Sequence, residues 1–163
     1  MGFVCSVCGE FHAERMLDVR LSLPDPIFAL DDEERDARAW LADDFAVLDE
    51  ERFFVRGLLE LPILELGSRF GYGTWVEVAG DEFRQLLEHW QDPDQFAPVK
   101  GTVANELAPY VGTEGLRATL SPVSVDTLPS VTLDDAAHPL VTDQQAGITA
   151  GRSDELAATV RHG

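Results

Sequence analysis

Residues 52 to 66 read Arg52-Phe53-Phe54-Val55-Arg56-Gly57-Leu58-Leu59-Glu60-Leu61-Pro62-Ile63-Leu64-Glu65-Leu66, and beyond the break at Gly67-Ser68 comes Gly73-Thr74-Trp75-Val76-Glu77-Val78. Both stretches are rich in the β-branched and aromatic side chains that suit a pleated, half-buried surface. The interrupted apolar run predicts a buried strand with Pro62 at an edge or bulge, where its missing N–H costs no ladder bond. The break predicts that the two strands pair as an antiparallel hairpin. After the hairpin, Phe83, Leu86, Leu87 and Trp90 recur at i, i+3, i+4 and i+7, which predicts a helix capped by Asp81 and stopped by Asp92-Pro93.

Before the hairpin, Leu30, Ala37, Trp40 and Leu41 also fall at helical spacing, with Asp31 or Asp32 as the cap and Glu34 three residues after Asp31. Met16, Val19, Leu21 and Leu23 predict a strand that Pro24-Asp25-Pro26 ends. Further strands are read at Leu116 to Leu120 and Val131 to Leu133, a helical turn at Thr102 to Leu107, and a final short helix at Ser153 to Arg161. Trp40, Trp75 and Trp90 occupy expected core positions. Strands clustered in hairpins, rather than alternating with helices, predict an α+β fold: an antiparallel, hairpin-rich sheet packed by two or three helices, in one compact domain over residues 1–163.

The 163 residues carry 12 basic and 30 acidic side chains, a formal charge of -18, which repels phosphate backbones and anionic lipid. Direct nucleic-acid binding is disfavoured. No window is apolar for long enough to span a membrane and the N-terminus has no secretory pattern, so a cytoplasmic location is expected. The acidity concentrates between residues 31 and 51, where Asp31, Asp32, Glu33, Glu34, Asp36, Asp43, Asp44, Asp49, Glu50 and Glu51 face only Arg35 and Arg38. Such a run is commonly a solvated helix face. Its functional reading is a contact face, centred on Asp31, Asp32, Glu33 and Glu34, that accelerates association with a basic protein partner.

Cys5 and Cys8 stand two residues apart before Gly9, the spacing of a zinc knuckle. One knuckle is half a site, and the candidates for the remaining ligands are His12 and the distant His138, with a carboxylate as a further option. The alternatives are an unligated N-terminal turn and a redox dithiol, although too little chain precedes Cys5 for the strand a redox motif wants. Phe70-Gly71-Tyr72-Gly73 lacks the third glycine and the helix start of a phosphate loop, and reads as turn and strand entry. Arg56, with Trp75 nearby, could anchor an anionic ligand in a pocket; pairing with Glu60, Glu77 or a local carbonyl is the plainer reading. No nucleophile triad, nucleotide fingerprint or acid pair stands out, so the reading leans away from an enzyme.

Phe3-Val4-Cys5-Ser6-Val7-Cys8-Gly9-Glu10-Phe11-His12, Leu21-Ser22-Leu23-Pro24, Arg52 to Gly57, Gly71 to Val78, His138-Pro139-Leu140 and Gly147-Ile148-Thr149 lie in that order along the chain. Together these blocks resemble domain-of-unknown-function family 2199 of bacteria, over residues 3 to about 150, with 151–163 left as a tail or short helix. The resemblance implies a bacterial domain with no assigned activity. It also implies a cysteine in relatives near Ala46; if that cysteine completes a metal site there, Cys5, Cys8 and His12 or His138 are one ligand short here. The combined expectation is a non-enzymatic protein-binding domain of the immunity or accessory type, with a zinc-binding domain, structural or catalytic, as the alternative.

Overall fold

The computed structural model describes residues 3–4, 11–12, 17–92, 97–134 and 137–161. In chain order its elements are β1 (Phe3–Val4), β2 (Phe11–His12), β3 (Asp18–Arg20), α1 (Asp25–Phe28), α2 (Asp32–Arg38), β4 (Ala39–Leu41), β5 (Phe45–Leu48), β6 (Arg52–Ile63), β7 (Ser68–Val78), α3 (Gly80–Glu88), β8 (Val99–Val103), β9 (Arg117–Ser121), β10 (Ser130–Leu133), α4 (Pro139–Ala146) and α5 (Ala150–Arg161). The fold class is α+β, as expected.

The hairpin organises everything else. β6 and β7 pair antiparallel from Phe53 opposite Val78 to Ile63 opposite Ser68, and Gly67 takes the left-handed φ of 59° that the connection needs. Side chains alternate between the faces of a strand. Val55, Leu59, Leu61 and Ile63, with Phe70, Tyr72, Val76 and Val78, therefore share one buried cluster, while Phe54 and Trp75 belong to a second. β8, β9 and β10 continue the meander, and a parallel contact of Ser130 with Leu58 closes five strands, β6 to β10, into a barrel. An odd number of meandering strands makes the first and last run the same way, which is why the closing contact is parallel. The first cluster fills the barrel, and Gly57 is small because a Cβ there would lie 2.5 Å from Val131 Cγ2.

The long strands have edge left over. β5 pairs the start of β6 and carries β4 outside it, and β3 pairs β7 in parallel from Asp18 opposite Gly71 to Arg20 opposite Gly73. The result is an eight-stranded sheet whose ends are β3 and β4.

Several local expectations are corrected. The helix read through Leu41 stops at Arg38; Ala39 turns extended at φ -113° and ψ 139°, because pairing Ala39–Leu41 with β5 satisfies backbone that another helical turn would have to satisfy alone. Trp40 is accordingly 51% exposed rather than in the core. Thr102 lies in β8, so the turn read at Thr102 to Leu107 is partly strand. Residue 79, not Asp81, caps α3, and Asp81 instead accepts from the Glu82 N–H. Pro62, by contrast, keeps its expected edge place: only β7 pairs with β6 there, and on the other side the Pro62 carbonyl accepts from Ile148 N–H at 2.7 Å at an isolated bridge. Phe70 to Gly73 lie within β7 rather than at its entry. There are five helices among the described residues instead of two or three, two of them only four and seven residues long.

Candidate functional site

Arg56 projects from the outer face of the hairpin, opposite Trp75 in register. Its Nη1 donates to Asp43 O at 2.7 Å, and its Nη2 donates to Leu21 O at 2.8 Å and Ser22 O at 3.3 Å. Its Cζ lies 4.5 Å from the Trp75 ring centroid, and the indole Nε1–H donates to the same Leu21 carbonyl at 3.0 Å. Arg56 thus ties the segment after β3 and the turn before β5 to the barrel wall. Burial, then repulsion from Arg20, pushes its pKa below the usual guanidinium range, opposed by Asp44 and Asp43. Nε has no partner among the described residues. Its partners are carbonyls, but distant ones, 13 to 35 residues away in sequence, rather than Glu60, Glu77 or a local carbonyl.

Beside it opens a cleft of about 470 Å³, walled by Asp18 and Arg20 of β3, Asp43 and Asp44, Trp90 after α3, and Val125 to Leu128 of the β9–β10 connection. Trp75 is not among its lining residues. Asp44 Oδ1 stands 3.7 Å from Arg56 and 3.9 Å from Arg20, beyond hydrogen-bond distance of both.

The acidic segment forms a different surface. Asp31 caps α2, its Oδ1 accepting from Glu34 N–H at 2.8 Å. Both arginines of the segment are engaged locally: Arg35 donates to Ile27 O, Phe28 O and Leu30 O, and Arg38 makes two 2.8 Å bonds to Asp49. Asp31, Asp32, Glu33, Glu34 and Asp36 all remain exposed. Next to them Phe28 is 64%, Trp40 51% and Leu41 43% exposed. A groove of about 390 Å³ runs past Trp40, Val47, Asp49 and Glu50. β4 ends the sheet. Ala42 N–H donates to the carbonyl of Phe45 in β5, and Asp49 N–H, just past β5, donates to that of Arg38, so by antiparallel alternation the backbone groups of Leu41 point away from β5.

Of the four metal candidates, only His138 has a described side chain. Cys5 and Cys8 lie outside the described residues, as does the side chain of His12, whose backbone pairs with Phe3. His138 caps α4: its Nδ1 accepts from Leu140 N–H at 3.0 Å, and its Nε2, which then carries the proton, donates to Val111 O at 2.7 Å. Neither ring nitrogen is free for a metal. Ala46 is fully buried in the cluster of Phe54 and Trp75. No group of three or more potential metal-binding side chains occurs among the described residues, and none of their helices is long and apolar enough to cross a membrane.

Sequence reasoning missed Asn105. Buried completely, it accepts through Oδ1 from Thr74 Oγ1 and Trp75 N–H, and donates through Nδ2 to Leu23 O and Asp25. It joins the barrel to the start of α1, and nothing local in the sequence distinguishes it from a loop asparagine. Neither a curated protein nor a solved structure matches the chain. The model of a family described as uncharacterized proteins conserved in bacteria (DUF2199) does match, over residues 4–148, and the chain belongs to that family.

Proposed function

We propose that this is a protein-binding domain of the immunity or accessory type, which takes an extended basic segment of its partner along the open edge of β4, with Asp31, Asp32, Glu33 and Glu34 at the contact face. The observation that carries the reading is one surface holding a strand edge open at Leu41, exposed Trp40 and Leu41, and a helix whose acidic side chains outnumber its two arginines, which pair with Asp32 and Glu34. Soluble proteins usually blunt such edges with lysine, proline or a covering segment. An extended peptide added to an edge gains main-chain hydrogen bonds, and side chains at alternate positions give it specificity. Acidic residues around that edge steer a basic segment toward it, an effect that salt weakens. The test is a titration of ¹⁵N-labelled protein with a synthetic peptide of alternating lysine and valine. Shifts centred on Ala39–Leu41, weakening with salt and lost on reversing the charge of Asp31 to Glu34, support the reading; shifts elsewhere, or salt-independent ones, defeat it.

A second reading, zinc held by Cys5 and Cys8 with His12, is favoured by the antiparallel pairing of β1 with β2, which sets Phe3 opposite His12 and Val4 opposite Phe11. Metal content of protein purified without chelator, beside a Cys5→Ser, Cys8→Ser double variant, decides it. Stoichiometric zinc lost in the variant supports the site, and metal-free protein removes it.

A further inference from the structure

The open edge beside Trp40 has a fixed hydrogen-bonding phase. Ala42 N–H bonds to Phe45 and Asp49 N–H to Arg38, and Trp40, two residues from each of Arg38 and Ala42, stands opposite Val47. Hydrogen-bonded pairs alternate along an antiparallel ladder. Trp40 therefore turns its backbone groups toward β5, whereas Leu41 turns both of its own outward. A strand added antiparallel, the more stable pairing per residue, would exchange its bonds with Leu41 and leave Trp40 in the non-hydrogen-bonded position. Side chains approach most closely at that position, where Cα atoms lie about 4.5 Å apart. The partner residue opposite Trp40 is the one whose side chain meets the indole.

The two faces of β4 sort the side chains of such a strand. Side chains alternate along β4, and Trp40 lines the groove of about 390 Å³ with Val47, its cross-strand neighbour, while Leu41 does not. The same groove holds two carboxylates of unlike standing. Asp49 is bound by two nitrogens of Arg38, each at 2.8 Å. Glu50 is exposed and enters no ion pair or side-chain hydrogen bond among the described residues. Both residues take left-handed φ, 55° and 57°, and the Arg38 bonds tie their turn to the end of α2. A half-exposed indole beside one uncommitted carboxylate matches a planar cation that stacks and donates at once. Arginine does both, since its guanidinium lies flat on aromatic rings and presents paired donors to a carboxylate. Lysine brings a compact, strongly hydrated charge that suits only the carboxylate.

We propose that Trp40 and Glu50 make the groove selective for arginine, so that the segment taken up by β4 carries an arginine opposite Trp40 and an apolar residue opposite Leu41. This selectivity rests on docking at β4, as proposed above, and the experiment tells the two apart. ¹⁵N-labelled protein is titrated with the alternating lysine–valine peptide and with its counterpart carrying arginine at every lysine, at matched ionic strength. Both are expected to shift Ala39–Leu41. The arginine peptide is expected to bind about fivefold tighter, the effect of one exposed cation–π contact, and to move the Trp40 indole N–H. Trp40→Leu, at a half-exposed position, is expected to bring the two peptides to one affinity with the shifts still centred on β4. Glu50→Gln is expected to narrow the preference, whereas Glu33→Gln removes the same charge from α2 and is expected to weaken both peptides alike. Equal affinities in the parent, or a preference that survives Trp40→Leu, overturns the proposal and leaves docking at β4 standing. So does a Glu50→Gln variant that keeps the full preference. Peptides that leave Ala39–Leu41 unmoved remove the docking and the selectivity with it.

Discussion

Val55, Leu59 and Val76 project from one face of the β6–β7 hairpin into the barrel, and Phe54, Arg56 and Trp75 project from the other beneath the chain that follows β3. The inner face is closed by apolar side chains from β8, β9 and β10 and the helices. The outer face has a small apolar cluster, and its cover is tied down by hydrogen bonds from Arg56, Trp75 and Asn105 to Leu21, Ser22 and Leu23. Packing is non-directional and many residues satisfy it, whereas each polar tie depends on one donor and one acceptor. Damage to the inner face should therefore loosen the whole molecule, and damage to the outer face should release its cover first.

Leu59→Ala probes the inner face and should have the largest effect. Leu59 is fully buried, and truncating such a leucine removes both transfer energy and packing, a loss of about 2–5 kcal/mol. Denaturant unfolding is expected to show that loss, with hydrogen exchange accelerating throughout β6 to β10. Acceleration confined to one strand would mean that the barrel is not a cooperative unit.

Arg56→Met keeps much of the stem's volume and removes the ties. The carbonyls of Asp43 and Ser22 lose their donor while that of Leu21 keeps the Trp75 indole, and the expected cost is about 2 kcal/mol, since water can reach part of the released segment. The decisive readout is where the molecule loosens: amides from Leu21 to Leu30 are expected to exchange faster while those of Leu59 and Val76 keep their protection. Uniform loosening would erase the distinction between the faces. Arg56→Lys tests the geometry of the tie, because one ammonium cannot span carbonyls that the guanidinium reaches with two nitrogens.

The same contrast explains what was legible in the sequence. The hairpin was readable because alternation and turn residues are local, and so were the helix carrying Phe83 and Leu86 and the strands near Leu120 and Val131. Barrel closure was not readable, since the contact of Leu58 with Ser130 joins residues distant in sequence. Helical spacing misled at Trp40 because a strand partner, β5, competed for the same backbone. For the candidate site, Arg56 and Trp75 were singled out and do meet, and the acidic run was visible as composition. Asp18 and Asp126 joined the cleft only through the fold. Asn105 was invisible because a buried tie and a loop asparagine look alike in one dimension.

Asp31→Ala should cost less, about 1 kcal/mol, the usual value of an N-cap side chain. Its bond to Glu34 N–H stabilises only a seven-residue helix at the edge of the molecule. Thermal melts should shift slightly while the β6–β10 amides keep their protection. A large loss would show that α2 belongs to the core's cooperative unit, which would weaken its reading as a free contact face.

The smallest expected effect lies in the loop after β8, at Glu106. Its carboxylate accepts from Gly112 N–H at 2.9 Å, from Thr113 N–H and Oγ1, and from Glu114 N–H. The bond from Gly112 leads the causes that hold its pKa below the usual carboxylate value. A carboxyl whose folded pKa is depressed contributes stability above its unfolded pKa and loses that contribution as pH falls through the folded value. Glu106→Gln is thus expected to be less stable than the parent at neutral pH, by under about 1 kcal/mol because the group is exposed, with the gap closing in acid. Glu114 has the opposite sign: burial first, then Asp25 and Glu106, raise its pKa, so its charge opposes folding at neutral pH and protonation relieves the strain. Glu114→Gln is expected to match or exceed the parent's stability at neutral pH and to lose that advantage in acid. Melts of the two variants from neutral to acidic pH should bracket the parent from opposite sides, and curves falling on the same side would show that the loop's hydrogen bonds, rather than its charges, set the response.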